Sequence, residues 1–93
     1  MASSSLTHLD VSRNRLQSLV LPSQMKNLKR LDVSDNKLIS TEAIFEAVKS
    51  SRSSLQEIHA QGNQLQTIPR LDFEMNQLLV LNFSRNRYVV YYI

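Results

Sequence analysis

Two aspartates and a histidine are the first residues of this chain that could do chemistry. Asp10, Asp32 and His59 lie 22 and 27 residues apart, and carboxylates with an imidazole are proper ligand types for a divalent ion and ordinary partners in acid/base work. Adjacent aspartates repel unless a cation or a basic group sits with them, and Arg30, two residues before Asp32, supplies that compensation without a metal. The serines that could serve as nucleophiles, Ser12, Ser34 and Ser84, each follow an Asp or Asn by two residues and read as small hydroxyls preceding a turn. There is no cysteine, which removes a disulfide framework, a thiolate zinc site and a cysteine nucleophile together. Asn82-Phe83-Ser84 fits the glycosylation acceptor pattern, but it falls inside an expected strand and no leader precedes it. No catalytic residue, no metal site and no cofactor is assigned, and the expectation is a protein that is not an enzyme.

The elements that must position these side chains come from internal repetition. Four segments align: LTHLDVSRNRL from Leu6, LKRLDVSDNKL from Leu28, LQEIHAQGNQL from Leu55 and LLVLNFSRNRY from Leu78. Their asparagines, Asn14, Asn36, Asn63 and Asn86, are 22, 27 and 23 residues apart. Within each, apolar residues alternate with a polar one, as in Leu31-Asp32-Val33, which is strand periodicity; like strands stacked in register make a parallel sheet. The asparagine falls where the chain must turn, and a short amide can satisfy backbone groups the turn exposes, so a buried structural ladder of four asparagines is expected.

The pattern L-x-x-L-x-L-x-x-N-x-L resembles the leucine-rich repeat family over residues 6 to 88. The resemblance implies an α/β solenoid of four right-handed coils, with a short parallel β-sheet on the concave face and mixed helical, 3₁₀ and extended returns on the convex side. It implies one domain over 1–93 with repeats at about 6–27, 28–54, 55–77 and 78–93. It also implies a non-enzymatic scaffold that binds a protein partner on the concave sheet face.

The return segments differ in kind. Ser40 to Lys49 places Ile44, Phe45 and Val48 on one stripe, with Thr41 as the expected N-cap and Glu42 in the first turn, so a short amphipathic helix should account for the 27-residue period. Gln17 to Asn27 with Pro22, and Gln66 to Gln77 with Pro69, are shorter and should be extended or 3₁₀. No capping helix precedes the first strand, which should leave Leu6, Leu9 and Val11 partly open, and Tyr88 replaces the last leucine before an apolar tail to Ile93. A fragment or short form of a longer array is therefore expected, with self-association through the exposed terminal coils as the alternative use of the ends.

With the leucines inward, three outward columns remain: His8, Arg30, Glu57, Val80; then Asp10, Asp32, His59, Asn82; then Ser12, Ser34, Gln61, Ser84. Fixed polar groups on a rigid sheet lose little ordering entropy on docking, and Arg30 and His59 are the expected energetic contacts. A basic edge follows the turn: Arg13, Arg15, Lys37, Arg85 and Arg87, with Gln64 in the same line. No aromatic residue interleaves it and no glycine-rich phosphate loop is present, so nucleic acid is not the expected partner. The other readings kept open are a metal-dependent enzyme fragment centred on Asp10, Asp32 and His59, and a structural or regulatory segment of a larger receptor or phosphatase-regulator-like protein.

Composition sets the outer bounds. In 93 residues, 42% hydrophobic and 20% charged, there is room for one folded domain, and one Gly and two Pro argue against a linker. Eleven basic against eight acidic residues give a net charge of +3, mild for a nucleic-acid binder. No apolar run approaches membrane-spanning length. With no cysteine, no leader and none of the cysteine-rich caps usual in extracellular members of the resembled family, an intracellular, cytoplasmic location is expected.

Overall fold

The computed structural model describes residues 5–67 and 73–87. Each repeat contributes one strand of three residues: β1 is His8–Asp10, β2 Arg30–Asp32, β3 Glu57–His59 and β4 Val80–Asn82. They form one parallel sheet in the order β1-β2-β3-β4, with Leu9, Leu31, Ile58 and Leu81 in register. Strands this short would not hold a sheet alone, and the pairing continues past them. Val11, Val33 and Ala60 N–H donate to the carbonyls of Asp32, His59 and Asn82 at 2.8–2.9 Å, and Arg13, Asp35 and Gly62 N–H to those of Ser34, Gln61 and Ser84 at 2.9–3.0 Å. Beyond the turn, Lys37, Gln64 and Arg87 N–H donate to Leu16, Leu38 and Leu65 at 2.8–2.9 Å. The repeats are thus bonded to one another along three successive rows, and the fold is solenoid-like.

Helix α1, Thr41–Val48, lies between β2 and β3 and ends in a 3₁₀ turn at Lys49–Ser51. An eight-residue helix is not stable by itself. Its buried stripe of Ile44, Phe45 and Val48, each at most 3% exposed, fixes it to the core, at about 1.5–3 kcal/mol per side chain as an upper range. The N-cap is Ser40 rather than the expected Thr41: Ser40 is extended and its side chain accepts from the Ala43 N–H at 3.1 Å. Thr41 is buried, and its hydroxyl donates to the Thr67 carbonyl at 2.9 Å, tying the helix start to the next repeat.

The first return contains no helix, as expected from Pro22; it turns where Met25 N–H meets the Pro22 carbonyl at 3.1 Å. The last return closes with the same turn, Leu78 N–H to Met75 carbonyl at 3.1 Å; Pro69 lies outside the described residues, as do Tyr88 and the tail to Ile93. The core is densest in the middle repeats, where Leu28, Leu31, Val33, Leu55, Ile58, Ala60 and Leu65 are fully buried. In the first repeat Leu6, Leu9 and Val11 are half-buried, which matches the partly open layer read from the sequence. The aligned positions Val11, Val33, Ala60 and Phe83 end in an aromatic ring, and Phe83 stacks on Phe45 with centroids 5.9 Å apart. Among the described residues no helix is long and apolar enough to cross a membrane.

Candidate functional site

The sheet puts the outward columns where the alternation predicts: His8, Arg30, Glu57 and Val80 are register partners, and so are Asp10, Asp32, His59 and Asn82. An ion-paired network runs through the middle of this face. Arg30 reaches Asp32 at 3.9 Å and Glu57 at 3.8 Å, and His59 Nε2 meets Glu57 Oε1 at 2.9 Å. The bond from His59, with Arg30 near, holds the Glu57 carboxyl below its ordinary pKa. His8 stands at the exposed end of the first column, its Nδ1 3.0 Å from the Thr7 hydroxyl. Val80 is an exposed apolar neighbour of Glu57 at the other end.

The aspartates do less for solvent than the columns suggested. Asp10 Oδ1 accepts the Ser12 N–H at 2.9 Å and the Ser12 hydroxyl at 2.6 Å. Asp32 with Ser34, and Asn82 with Ser84, repeat this pair of bonds at 3.0 and 2.6 Å and at 3.1 and 2.8 Å. Ser12's hydroxyl and N–H hold the Asp10 carboxyl below its ordinary pKa. One acceptor oxygen therefore closes the chain as it leaves β1, β2 and β4, and the serines serve the turn. Ser34, expected on the open face, is buried at 5% exposure, whereas Ser12 is half-buried and Ser84 exposed.

The third repeat breaks the rule: His59-Ala60-Gln61 stands where the others have Asp or Asn, an apolar residue and Ser. His59 turns to Glu57 instead, and Gln61 Oε1 is buried with no hydrogen-bond partner among the described residues. Asp10, Asp32 and His59 are stacked but do not converge. Among the described residues no three His, Asp or Glu side chains are placed to hold a metal ion, so the geometry does not favour the metal-centred reading.

The asparagines act as read, by satisfying backbone groups at the turn, but they are not equally buried. Asn36, Asn63 and Asn86 each accept, at 3.0 Å, the N–H of a leucine in the preceding repeat: Leu16, Leu38 and Leu65. Their amide nitrogens donate to carbonyls of their own and the preceding repeat, for example Asn63 Nδ2 to Val33 at 3.1 Å and to Ala60 at 3.0 Å. Asn36 and Asn63 are buried, Asn86 is half-buried and Asn14 is exposed. Asn14 bonds only Val11 and Ser12 of its own repeat among the described residues, so the expected four-member buried ladder is deepest at its two central members.

One repeated feature was missed. The residue before each asparagine has a left-handed backbone: Arg13 (φ 56°), Asp35 (φ 54°), Gly62 (φ 72°) and Arg85 (φ 53°). The signal was present, because the chain's single glycine occupies this position in the third repeat. A Cβ at Gly62 would collide with Asp35 Oδ1, and over the bare glycine Arg85 of the fourth repeat reaches Asp35 of the second at 3.6 Å. Arg13, Arg15, Lys37, Arg85 and Arg87 are all exposed, as the basic edge requires.

No curated protein matches the chain. Residues 4–46 match the family model described as Leucine Rich repeats (2 copies). That span contains Asn14 and Asn36 with their turns, and the same asparagine bond to the carbonyl three residues before recurs at Asn63 and Asn86. Over residues 4–46 the chain is thus similar to the leucine-rich repeat family, and its third and fourth repeats continue the same pattern.

Proposed function

We propose that this chain is a non-enzymatic scaffold of four right-handed coils that binds a protein partner across the concave, outer face of its sheet. Leucine-rich repeats are generally protein-interaction modules, and right-handed crossovers are the rule between parallel strands. The observation that carries the reading is the central network, Arg30 with Asp32 and Glu57, and Glu57 with His59. It holds four charged or polar groups in one arrangement on the two central strands, which are paired on both sides. Such a surface is preorganised, and little ordering entropy opposes docking. The flanking contacts are His8, Asp10, Ser12, Gln61, Asn82 and Ser84, with Arg30 and His59 contributing most. The intracellular setting belongs to the same reading.

The test is partner capture by the wild-type chain and by the Arg30→Ala/His59→Ala variant, with circular dichroism confirming that both are folded. Proteins retained by the wild type should be lost from the variant. Identical capture by both would place the docking surface elsewhere.

A further inference from the structure

We infer that the post-asparagine edge is a second docking surface, separate from the sheet face, and that it takes an acidic segment of a protein partner. Charge distribution is the first ground. Arg13, Arg15, Lys37, Arg85 and Arg87, less Asp35, leave +4 on this edge, and the other six basic and seven acidic residues sum to −1, so the edge carries more than the chain's whole net charge of +3.

Order is the second ground. The residues form two rows fixed by backbone bonds between repeats: Arg13, Asp35, Gly62 and Arg85 in one, and Arg15, Lys37, Gln64 and Arg87 in the other. Side chains within a row reach one another, as Arg85 does to Asp35 across Gly62 at 3.6 Å. Arg13, Arg15, Lys37 and Arg87 are exposed and form no ion pair among the described residues. Like charges held side by side repel, at a cost that a docked anion removes.

The rows also select the kind of anion. They contain no aromatic side chain on which a base could stack. Asp35 interrupts the first row with a carboxylate, which opposes a continuous phosphate backbone but can be straddled by carboxylates spaced along a peptide. Neighbouring repeats about 4.8 Å apart make each row about 14 Å long, the span of about four extended residues.

Fluorescence anisotropy with a labelled oligoglutamate peptide tests this, beside a labelled oligothymidylate of equal charge, at low and at physiological salt. Arg15→Gln/Arg87→Gln removes two edge charges, and Lys26→Gln/Lys29→Gln removes two exposed charges elsewhere. The edge variant should weaken peptide binding roughly tenfold and the control variant less than about twofold. Equal weakening by both variants would reduce the effect to net charge and overturn the proposal. So would absence of peptide binding at low salt, or tighter binding of the oligothymidylate than of the peptide.

Discussion

Replacing Asn63 by alanine tests the account of what joins one repeat to the next. Asn63 is buried, and its amide makes bonds of 3.0–3.4 Å to the carbonyls of Val33, Ala60 and Gln61 and accepts from Leu38 N–H at 3.0 Å. The losses are unequal. Val33 and Ala60 carbonyls also accept from Asn36 and Asn86, so each keeps a partner. Leu38 is 1% exposed, and its N–H has only Asn63 Oδ1 among the bonds described. Stranding a buried donor costs about 1–3 kcal/mol. With the weakened carbonyls and the space left by the amide, the variant should lose about 2–4 kcal/mol, a large part of the roughly 5–14 kcal/mol a chain of this size possesses.

Urea unfolding followed by circular dichroism should show the midpoint falling by roughly 2 M. Asn14→Ala is the internal control, because Asn14 is exposed and bonds only within its own repeat; it should cost about 1 kcal/mol or less. Equal losses for the two variants, within about 0.5 kcal/mol, would refute the claim that the inter-repeat bond to leucine is what the asparagine contributes.

Gly62→Ala should destabilise by about 1–2 kcal/mol in the same urea assay, because φ is +72° and the new Cβ displaces the Asp35 side chain from Arg85. Asp10 and Glu57 have pKa values lowered by folding, so their contribution is present above their unfolded values of about 4 and is lost as pH falls through the lower folded values. Urea midpoints across that acidic range should decline less steeply in Asp10→Asn, which keeps the acceptor for Ser12 just as Asn82 does for Ser84. Ser40→Ala should cost about 1 kcal/mol as loss of an N-cap, while Thr41→Ser, which keeps the hydroxyl bonded to Thr67, should cost less than Thr41→Val. If Thr41→Val is the milder change, the bond from the helix to the next repeat contributes nothing.

The parallel sheet was legible because its register depends on one repeated offset. The strand register steps from His8 to Arg30 to Glu57 to Val80 are the same 22, 27 and 23 residues that separate the asparagines. The helical return was legible from the stripe of Ile44, Phe45 and Val48. Which hydroxyl caps it was not, because Ser40 and Thr41 are both good caps in sequence. The choice was made by Thr67, a residue in another repeat. Column membership was readable from alternation, but the state of each member was not. Asp32 and Ser34 differ in role from a free carboxylate and a free hydroxyl only because they bond each other, a local closure that alternation does not encode. Gly62 gave a readable hint of the left-handed row, whereas the arginines and aspartate sharing its conformation gave none.

The same division bears on where recognition can reside. Positions common to the repeats are largely engaged: the leucines of the two central repeats are spent on packing, Asn36, Asn63 and Asn86 on backbone of their own and the preceding repeat, and the Asp-x-Ser pairs on each other. A partner gains less from groups already so engaged, since displacing an internal bond offsets part of the one it would form, and Asp10, Ser12, Asn82 and Ser84 are therefore secondary contacts in the proposed docking. On the proposed scaffold reading, specific recognition falls where a repeat departs from the pattern. On the sheet face that place is the third repeat, whose His59 is drawn to Glu57, itself reached by Arg30 of the second, and whose Gln61 Oε1 is buried without a hydrogen-bond partner among the described residues. Around the turns it is the charge of the residues flanking each asparagine, which the backbone bonds hold in rows without prescribing their side chains. Repetition therefore builds the frame, and the exceptions to it carry the information a partner can read.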